Sequence, residues 1–392
     1  MAYIYKRGDK WAYRAYAGKD PITKKDKQAS KSGFRTKKDA QLAAAIFERQ
    51  FHNGEFLEPS NVTFKEMSEQ FLEHYLSQGA KISSHRARKK ALAHIIDRIG
   101  TTPIQKITVK MYQDSIDALA KKYSYNYMAS IHSSANMVFK YACDMKVIKE
   151  SPIKGAKLPK QKKTVEELKE DNISEKFLEK KELEEFLLVA KNEGIEGDLL
   201  AFTLLSYTGM RVGEMLALKW SDIDFKNHTL RIYKTYYNES NNKKKYEILT
   251  PKTEGSIRTI EFNPVLDGLF EEHREFQERN KQDYEMLYHD DEFIFTTKDG
   301  YPQTIKQISL RLKRLLEKTS IKKNITPHSF RHTHTSLLIE ANVHIKEIQE
   351  RFGDSDINTT MGIYAHMTKN MKKKASTKFG KLMNSLSEKI KS

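Results

Sequence analysis

Thr326-Pro-His-Ser-Phe-Arg-His332 is the stretch on which the reading of this chain turns. Proline suits the first turn of a helix, where its missing N–H would have no partner anyway, and a helical pattern runs from Pro327 to Ala341. On such a helix His328 and Arg331 share one face at i,i+3. His328 and His332 also have the i,i+4 spacing of a metal pair. The residues after His328 are Ser329-Phe330-Arg331, however, so the glutamate of a zinc-hydrolase helix is missing and an arginine would repel a divalent cation.

Three other short stretches extend the pattern. Thr208-Gly-Met-Arg-Val-Gly-Glu214 puts Arg211 at a helix start just after a glycine turn, where backbone N–H groups and a guanidinium can face an oxyanion. Thr250-Pro-Lys-Thr-Glu-Gly-Ser-Ile-Arg-Thr259 puts Lys252 at the tip of an expected β-hairpin, where it can swing. Thr359-Thr-Met-Gly-Ile-Tyr-Ala-His366 offers Tyr364 beside Gly362. Singly, each has an ordinary structural use: Arg211 could pair with Glu214, Lys252 could be one exposed lysine among many, His328 could cap its helix and Tyr364 could be a packed aromatic. No phosphate-cradling P-loop is present, since the glycine spacing before Gly18-Lys and Gly380-Lys is wrong.

The charge says what the partner is made of. Lys plus Arg number 69 against 52 Asp plus Glu, a formal net charge of +17, which favours a polyanion through steering and counterion release. The single cysteine, Cys143, excludes an internal disulfide and a Cys-rich zinc module. The longest apolar run, Leu199 to Leu205, is far below the ~20 residues of a bilayer span, and the N-terminus lacks a secretory signal's apolar stretch. A cytosolic, multidomain, basic protein is expected.

Length predicts two to three domains, and the punctuation along the chain suggests where they lie. Residues 1–60 read as a three-stranded sheet with one helix: Tyr3 to Lys6, Trp11 to Tyr16 and Gln28 to Ser32, then Lys37 to Phe51 capped by Thr36. Residues 1–40 hold 12 Lys/Arg against 4 Asp/Glu, so a DNA-reading face that uses Lys6, Arg14, Lys24 and Lys25 is expected. Residues 62–155 read as helices, one of them carrying Arg86, Arg88, Lys89 and Lys90 as further candidate DNA contacts. A basic, proline-broken linker (156–172) leads to 173–375, where helices alternate with Leu230 to Lys234, Lys245 to Leu249 and Ser256 to Phe262, expected as strands of one small sheet. After Lys378, Phe379, Leu382, Met383, Leu386 and Ile390 form an apolar stripe on a tail helix within 376–392. The fold class is mainly α with small β-sheets.

Taken together, the order and the motifs T-G-M-R-V-G-E, H-S-F-R-H-T-H and T-T-M-G-I-Y-A-H resemble the tyrosine recombinase (phage integrase) family along the whole chain. The resemblance implies an arm-binding domain at 1–60, a helical SAM-like core-binding domain at 62–155 and a mixed α+β catalytic domain at 173–375. It maps Arg211, Lys252, His328 and Arg331 onto the activating residues and Tyr364 onto the nucleophile. Phe352-Gly-Asp-Ser355 departs from the usual Leu-Gly-His-Ser, so Asp354 stands where a histidine or tryptophan is common. A carboxylate there would repel a phosphate, and capping the helix toward Tyr364 is its alternative use.

By this resemblance the chemistry is attack of a phenol on a DNA phosphodiester. A tyrosine of ordinary pKa near ~10 is mostly protonated at neutral pH, so it needs a proton acceptor and a cationic surrounding. Arg211 and Arg331 would clamp the non-bridging oxygens bidentately, His328 would accept the proton or donate to phosphate, and Lys252 would protonate the leaving 5′ oxygen. One phosphodiester replaces another, so no ATP, metal or other cofactor is expected. Implied partners are core and arm attachment sites on duplex DNA, a homo-tetramer exchanging strands through a Holliday junction, a tail docked on a neighbouring subunit, and an excisionase or host DNA-bending protein. A resolvase of dimeric circles, a type IB topoisomerase and a catalytically silent DNA-binding regulator are the alternatives. The basic unit at 1–60 argues against the first two, and only Asp354 favours the last.

Overall fold

The computed structural model describes residues 2–19, 24–53, 56–159, 177–251 and 254–353. The chain divides into two compact units, Met1–Lys162 and Lys163–Ser392.

In the first unit, β1 (Tyr3–Arg7), β2 (Lys10–Lys19) and β3 (Asp26–Phe34) form an antiparallel sheet in the order β1-β2-β3. Strand alternation sends Tyr13 and Ala15 to one face, where α1 (Lys37–His52) covers them with Ala44 and Phe47. Thr36 starts α1 as the sequence suggests: its hydroxyl accepts from Asp39 N at 3.1 Å while Asp39 returns a carboxylate to Thr36 N at 3.3 Å. Helices α2 (Phe64–Ser77), α3 (Ile82–Ile99), α4 (Val109–Ala120) and α5 (Tyr125–Asp144) follow. Their core includes Phe64, Leu92, Ile95, Tyr112, Ile131 and Phe139. Thr63 caps α2 in the same reciprocal way with Glu66.

The second unit contains α6 (Lys180–Glu193), α7 (Asp198–Thr208) and α8 (Val212–Leu216), then strands, then α9 (Val265–Tyr284), α10 (Ile305–Leu316), α11 (Ser329–Glu340) and α12 (Ile345–Phe352). α7 is the apolar run noted in the sequence, and nine of its eleven residues are buried, so it is the central helix. Phe186, Phe202 and Phe330 pack with ring centroids 5.2–5.5 Å apart where α6, α7 and α11 meet, Phe202 stacked on Phe330 and Phe186 edge-on to Phe202.

The strands correct one expectation. β4 (Ile223–Asp224), β5 (Thr229–Ile232) and β8 (Arg258–Glu261) form one sheet, whereas β6 (Thr235–Tyr237) and β7 (Glu247–Leu249) form a separate two-stranded one. The three expected strands therefore do not share a sheet, and the chain through Lys252 connects two sheets rather than closing a hairpin. Gly213 lets α8 lie close against β6, since a Cβ there would stand 2.7 Å from Thr235 Oγ1 and 3.3 Å from Tyr236 O.

Candidate active site

The site is built on the turn after α7. Gly209 ends that helix at φ 63°, a left-handed conformation natural to glycine. A Cβ on it would meet the Phe352 ring at 2.4 Å and His334 at 2.8 Å. Two residues on, Arg211 takes the extended conformation of a helix cap, and Glu214 in the first turn of α8 answers it twice. The Arg211 N–H donates to Glu214 Oε2 and its Nη1 to Oε1, both at 2.9 Å. The Arg211 side chain is 40% exposed while that of Glu214 is 7% exposed, so the guanidinium is anchored at its inner edge and reaches the surface.

Glu214 carries a second guanidinium. Arg258 Nη2 donates to Glu214 Oε2 at 2.8 Å, and both side chains are buried. Burial pushes the Glu214 carboxyl up. Hydrogen bonds and charge from Arg258, with the Arg211 N–H and charge, outweigh it and hold the pKa below the ordinary value.

The Thr326 N–H donates to Ser329 Oγ at 3.0 Å, fixing the start of α11. His328 is the capping residue and is exposed, whereas Arg331 is 5% exposed. The i,i+3 pair thus has one member at the surface and one in the interior. His328 instead meets His332, edge to face with ring centroids 4.8 Å apart. Arg331 Nη1 donates to Gly209 O at 2.8 Å, its Nη2 to Phe352 O at 3.3 Å, and its guanidinium carbon lies 4.0 Å from the Phe352 ring centroid. One buried cation therefore ties the turn that leads into Arg211 to the last residue of α12.

His334, six residues beyond His328, is buried and neutral. Its Nδ1–H donates to Ser206 O at 2.8 Å, and its Nε2 accepts from Arg351 Nε at 3.1 Å. Burial, reinforced by the Arg351 and Arg331 charges, lowers its pKa to about 4.

Lys252, Asp354, Tyr364 and the tail stripe lie outside the described residues. Of the other lysines near the strands, Lys234 pairs with Asp222 at 2.6 Å and Lys243 with Asp299 at 2.6 Å. Sequence reading missed Arg258 and Arg351. The available signal was parity, since Arg258 alternates in step with buried Ile260 and out of step with exposed Ile257.

On the N-terminal sheet, Tyr3 and Tyr5 stack at 5.7 Å, and the Arg14 guanidinium lies 5.8 Å from the Tyr5 ring on the face opposite α1. Lys6 is exposed but has the opposite parity on β1, so it does not join Arg14 on that face. Lys24 and Lys25 are exposed beside the start of β3. On α3, Lys89 and Lys90 are exposed, while Arg86 and Arg88 are half-buried and Arg88 donates to Ser134 Oγ at 3.2 Å. Among the described residues no group of three or more His, Cys, Asp or Glu side chains could hold a metal ion, and no helix is long and apolar enough to cross a membrane.

Residues 176–371 match the phage integrase family, residues 3–51 an arm DNA-binding domain, and residues 63–120 the N-terminal SAM-like domain of phage integrases. The chain belongs to the phage integrase family. It is a tyrosine-type site-specific recombinase, and its activity is that of an integrase. The integrase of Staphylococcus phage L54a is 31% identical over 336 residues, covering 83% of this chain and 95% of that one. Among solved structures, the Tn1549 transposon integrase in complex with transposon right end DNA matches with a TM-score of 0.62 at 21% identity, over 78% of this chain and 95% of that one. A lambda integrase tetramer bound to a Holliday junction matches with a TM-score of 0.54 at 17% identity, over 91% and 96%.

Proposed function

We propose that this recombinase integrates and excises a mobile element, a prophage or an integrative and conjugative element, through a 3′-phosphotyrosyl intermediate on Tyr364. In that reading Arg211 and Arg331 hold the non-bridging oxygens of the scissile phosphate. His328 accepts the phenolic proton or donates to phosphate, and Lys252 protonates the leaving 5′ oxygen. Asp354 caps the chain toward Tyr364. The observation that carries the reading is the bond from Arg331 to Gly209 O, which joins the two arginine motifs across 122 residues of sequence.

Residues 1–60 are proposed to bind arm-type sites through Arg14, Lys24 and Lys25, with Lys6 at the margin. Residues 62–155 would grip the core site through Arg86, Arg88, Lys89 and Lys90, and the linker 156–172 would join them to the catalytic part, 173–375. The tail, 376–392, would dock on a neighbouring subunit in a tetramer on DNA, as lambda integrase assembles on its junction. The exposed Tyr3 ring, with Tyr5 and Arg14 beside it on the same face, favours a nucleic-acid face over a merely solvated one. An excisionase or a host DNA-bending protein would set direction, and the reaction would take place in the bacterial cytoplasm at the nucleoid. A duplex nicked near the cleavage site should trap the wild type covalently and leave Tyr364→Phe non-covalent. Tight binding with no adduct in the wild type would instead mark a DNA-binding regulator.

A further inference from the structure

The last turn of α12 is cross-linked to the catalytic unit more densely than an eight-residue surface helix requires. Arg351 spreads its guanidinium over three elements: Nε donates to His334 Nε2 on α11 at 3.1 Å, and Nη2 donates to Tyr207 O on α7 at 3.4 Å and to Glu261 O on β8 at 3.0 Å. Its own carbonyl accepts from Arg258 Nε at 3.0 Å. The next residue, Phe352, sits under the Arg331 guanidinium, and Gly353 turns left-handed at φ 60° with its Cβ position 2.5 Å from Gly255 O. Each of these groups is a poor choice for packing alone. A buried histidine and a half-buried arginine lose hydration, and an apolar pair would fill the same space at less cost.

We propose that Arg351 and His334 are positioning residues for strand cleavage. Together with Arg258 they latch the end of α12 to the framework that carries Arg211 and Arg331, and so fix the point from which the chain sets out toward the nucleophile. The inference rests on Tyr364 being that nucleophile, eleven positions beyond Gly353. Eleven positions of chain separate Gly353 from Tyr364, so fixing Gly353 bounds how far from the arginines the phenol can lie. Arg258 extends the latch inward, because the guanidinium that holds the Arg351 carbonyl also holds Glu214 and, through it, Arg211. A neutral imidazole is required at 334, since Nε2 must offer a lone pair to a cation. That explains a histidine held unprotonated between two arginines.

The test uses the full chain and two substrates, a nicked duplex and the same duplex with a 5′-bridging phosphorothiolate, whose thiolate departs without an acid. Arg351→Lys should keep DNA affinity within about threefold and lower the single-turnover rate of adduct formation by about thirtyfold or more on both substrates. Lys252→Ala, by contrast, should recover on the phosphorothiolate. At His334 the latch and simple packing predict opposite orders. If a lone pair toward Arg351 is what matters, His334→Gln should cleave faster than His334→Leu; if apolar filling is what matters, Leu should be at least as good. This comparison stands even if Arg351→Lys fails to fold. Wild-type cleavage by Arg351→Lys, rescue of that variant by the phosphorothiolate, a defect confined to DNA affinity, or Leu equal to or better than Gln at 334 would each overturn the proposal. Adduct formation by Tyr364→Phe would instead remove the nucleophile assignment and leave the latch without a purpose, a separate failure.

Discussion

Arg258 and Glu214 meet at 2.8 Å where both side chains are buried, and the same carboxylate holds Arg211 at 2.9 Å. Removing one partner of such a buried pair typically costs about 3–5 kcal/mol, because the charge left behind is neither hydrated nor neutralised. Glu214→Ala should therefore lower the urea midpoint of the catalytic unit sharply and abolish adduct formation. A stable Glu214→Ala protein that still cleaves would show that Arg211 does not depend on this anchor.

Arg211→Lys should separate binding from chemistry. The charge survives, but the planar fork that serves Glu214 on one edge, and in the proposed mechanism a phosphate on the other, does not. The loss expected for one preorganised donor is about 2.7–4 kcal/mol, or roughly 10²–10³ in cleavage rate, at nearly unchanged DNA affinity. Rapid-quench measurement of the adduct decides it, and an unaltered rate removes Arg211 from the clamp.

Gly209→Ala should be among the most damaging single-methyl additions in the chain. Left-handed strain costs on the order of 1–3 kcal/mol, and the Phe352 ring it would strike is itself buried under Arg331. A melting point equal to wild type would mean that the turn relaxes freely.

His334 sets a pH dependence whose sign follows from its depressed pKa. The unfolded chain binds this proton near ~6.5 and the folded chain near about 4, so between those values the unfolded state holds more protons. The stability contribution is complete above ~6.5 and is lost as pH falls toward 4, with a total on the order of 3 kcal/mol. Urea titrations of wild type and His334→Gln from pH 7 to 4 should diverge most at the high end and converge at the low end. Parallel curves would place a protonated imidazole in the folded state.

Lys89 and Lys90 are exposed on α3, so replacing both with glutamine should weaken core-site binding evenly across sequences. The slope of log affinity against log salt should become shallower by about one unit per lysine. An unchanged slope would take these two off the DNA.

Much of this architecture could be read from short-range rules. Thr36 and Thr63 announce their helices because an oxygen at the cap and an acid three residues on satisfy donors within a single turn. The two motifs holding Arg211, His328 and Arg331 were legible for the same reason, each being a turn followed by a helix start. What escaped was the wiring between motifs. Arg258 shares its parity with buried Ile260 and Phe262, but a guanidinium beside an apolar Ile257 invites the opposite assignment, and only its partner Glu214, 44 residues away, shows why the charge goes inward. No local rule singles out Arg351, and only the three-dimensional meeting of α7, α11 and β8 shows where its guanidinium goes. The separation of β7 from β8 was equally invisible, because strand pairing across sheets is a long-range choice that local alternation does not encode.

That separation has an evolutionary corollary. Residues inserted or deleted between Leu249 and Arg258 would shift no ladder register, since the strands on either side bond to different neighbours. A change of length near 250–253 would thus leave both ladders paired as they are, whereas one nearer Arg258 would disturb the Gly255 carbonyl that lies against Gly353.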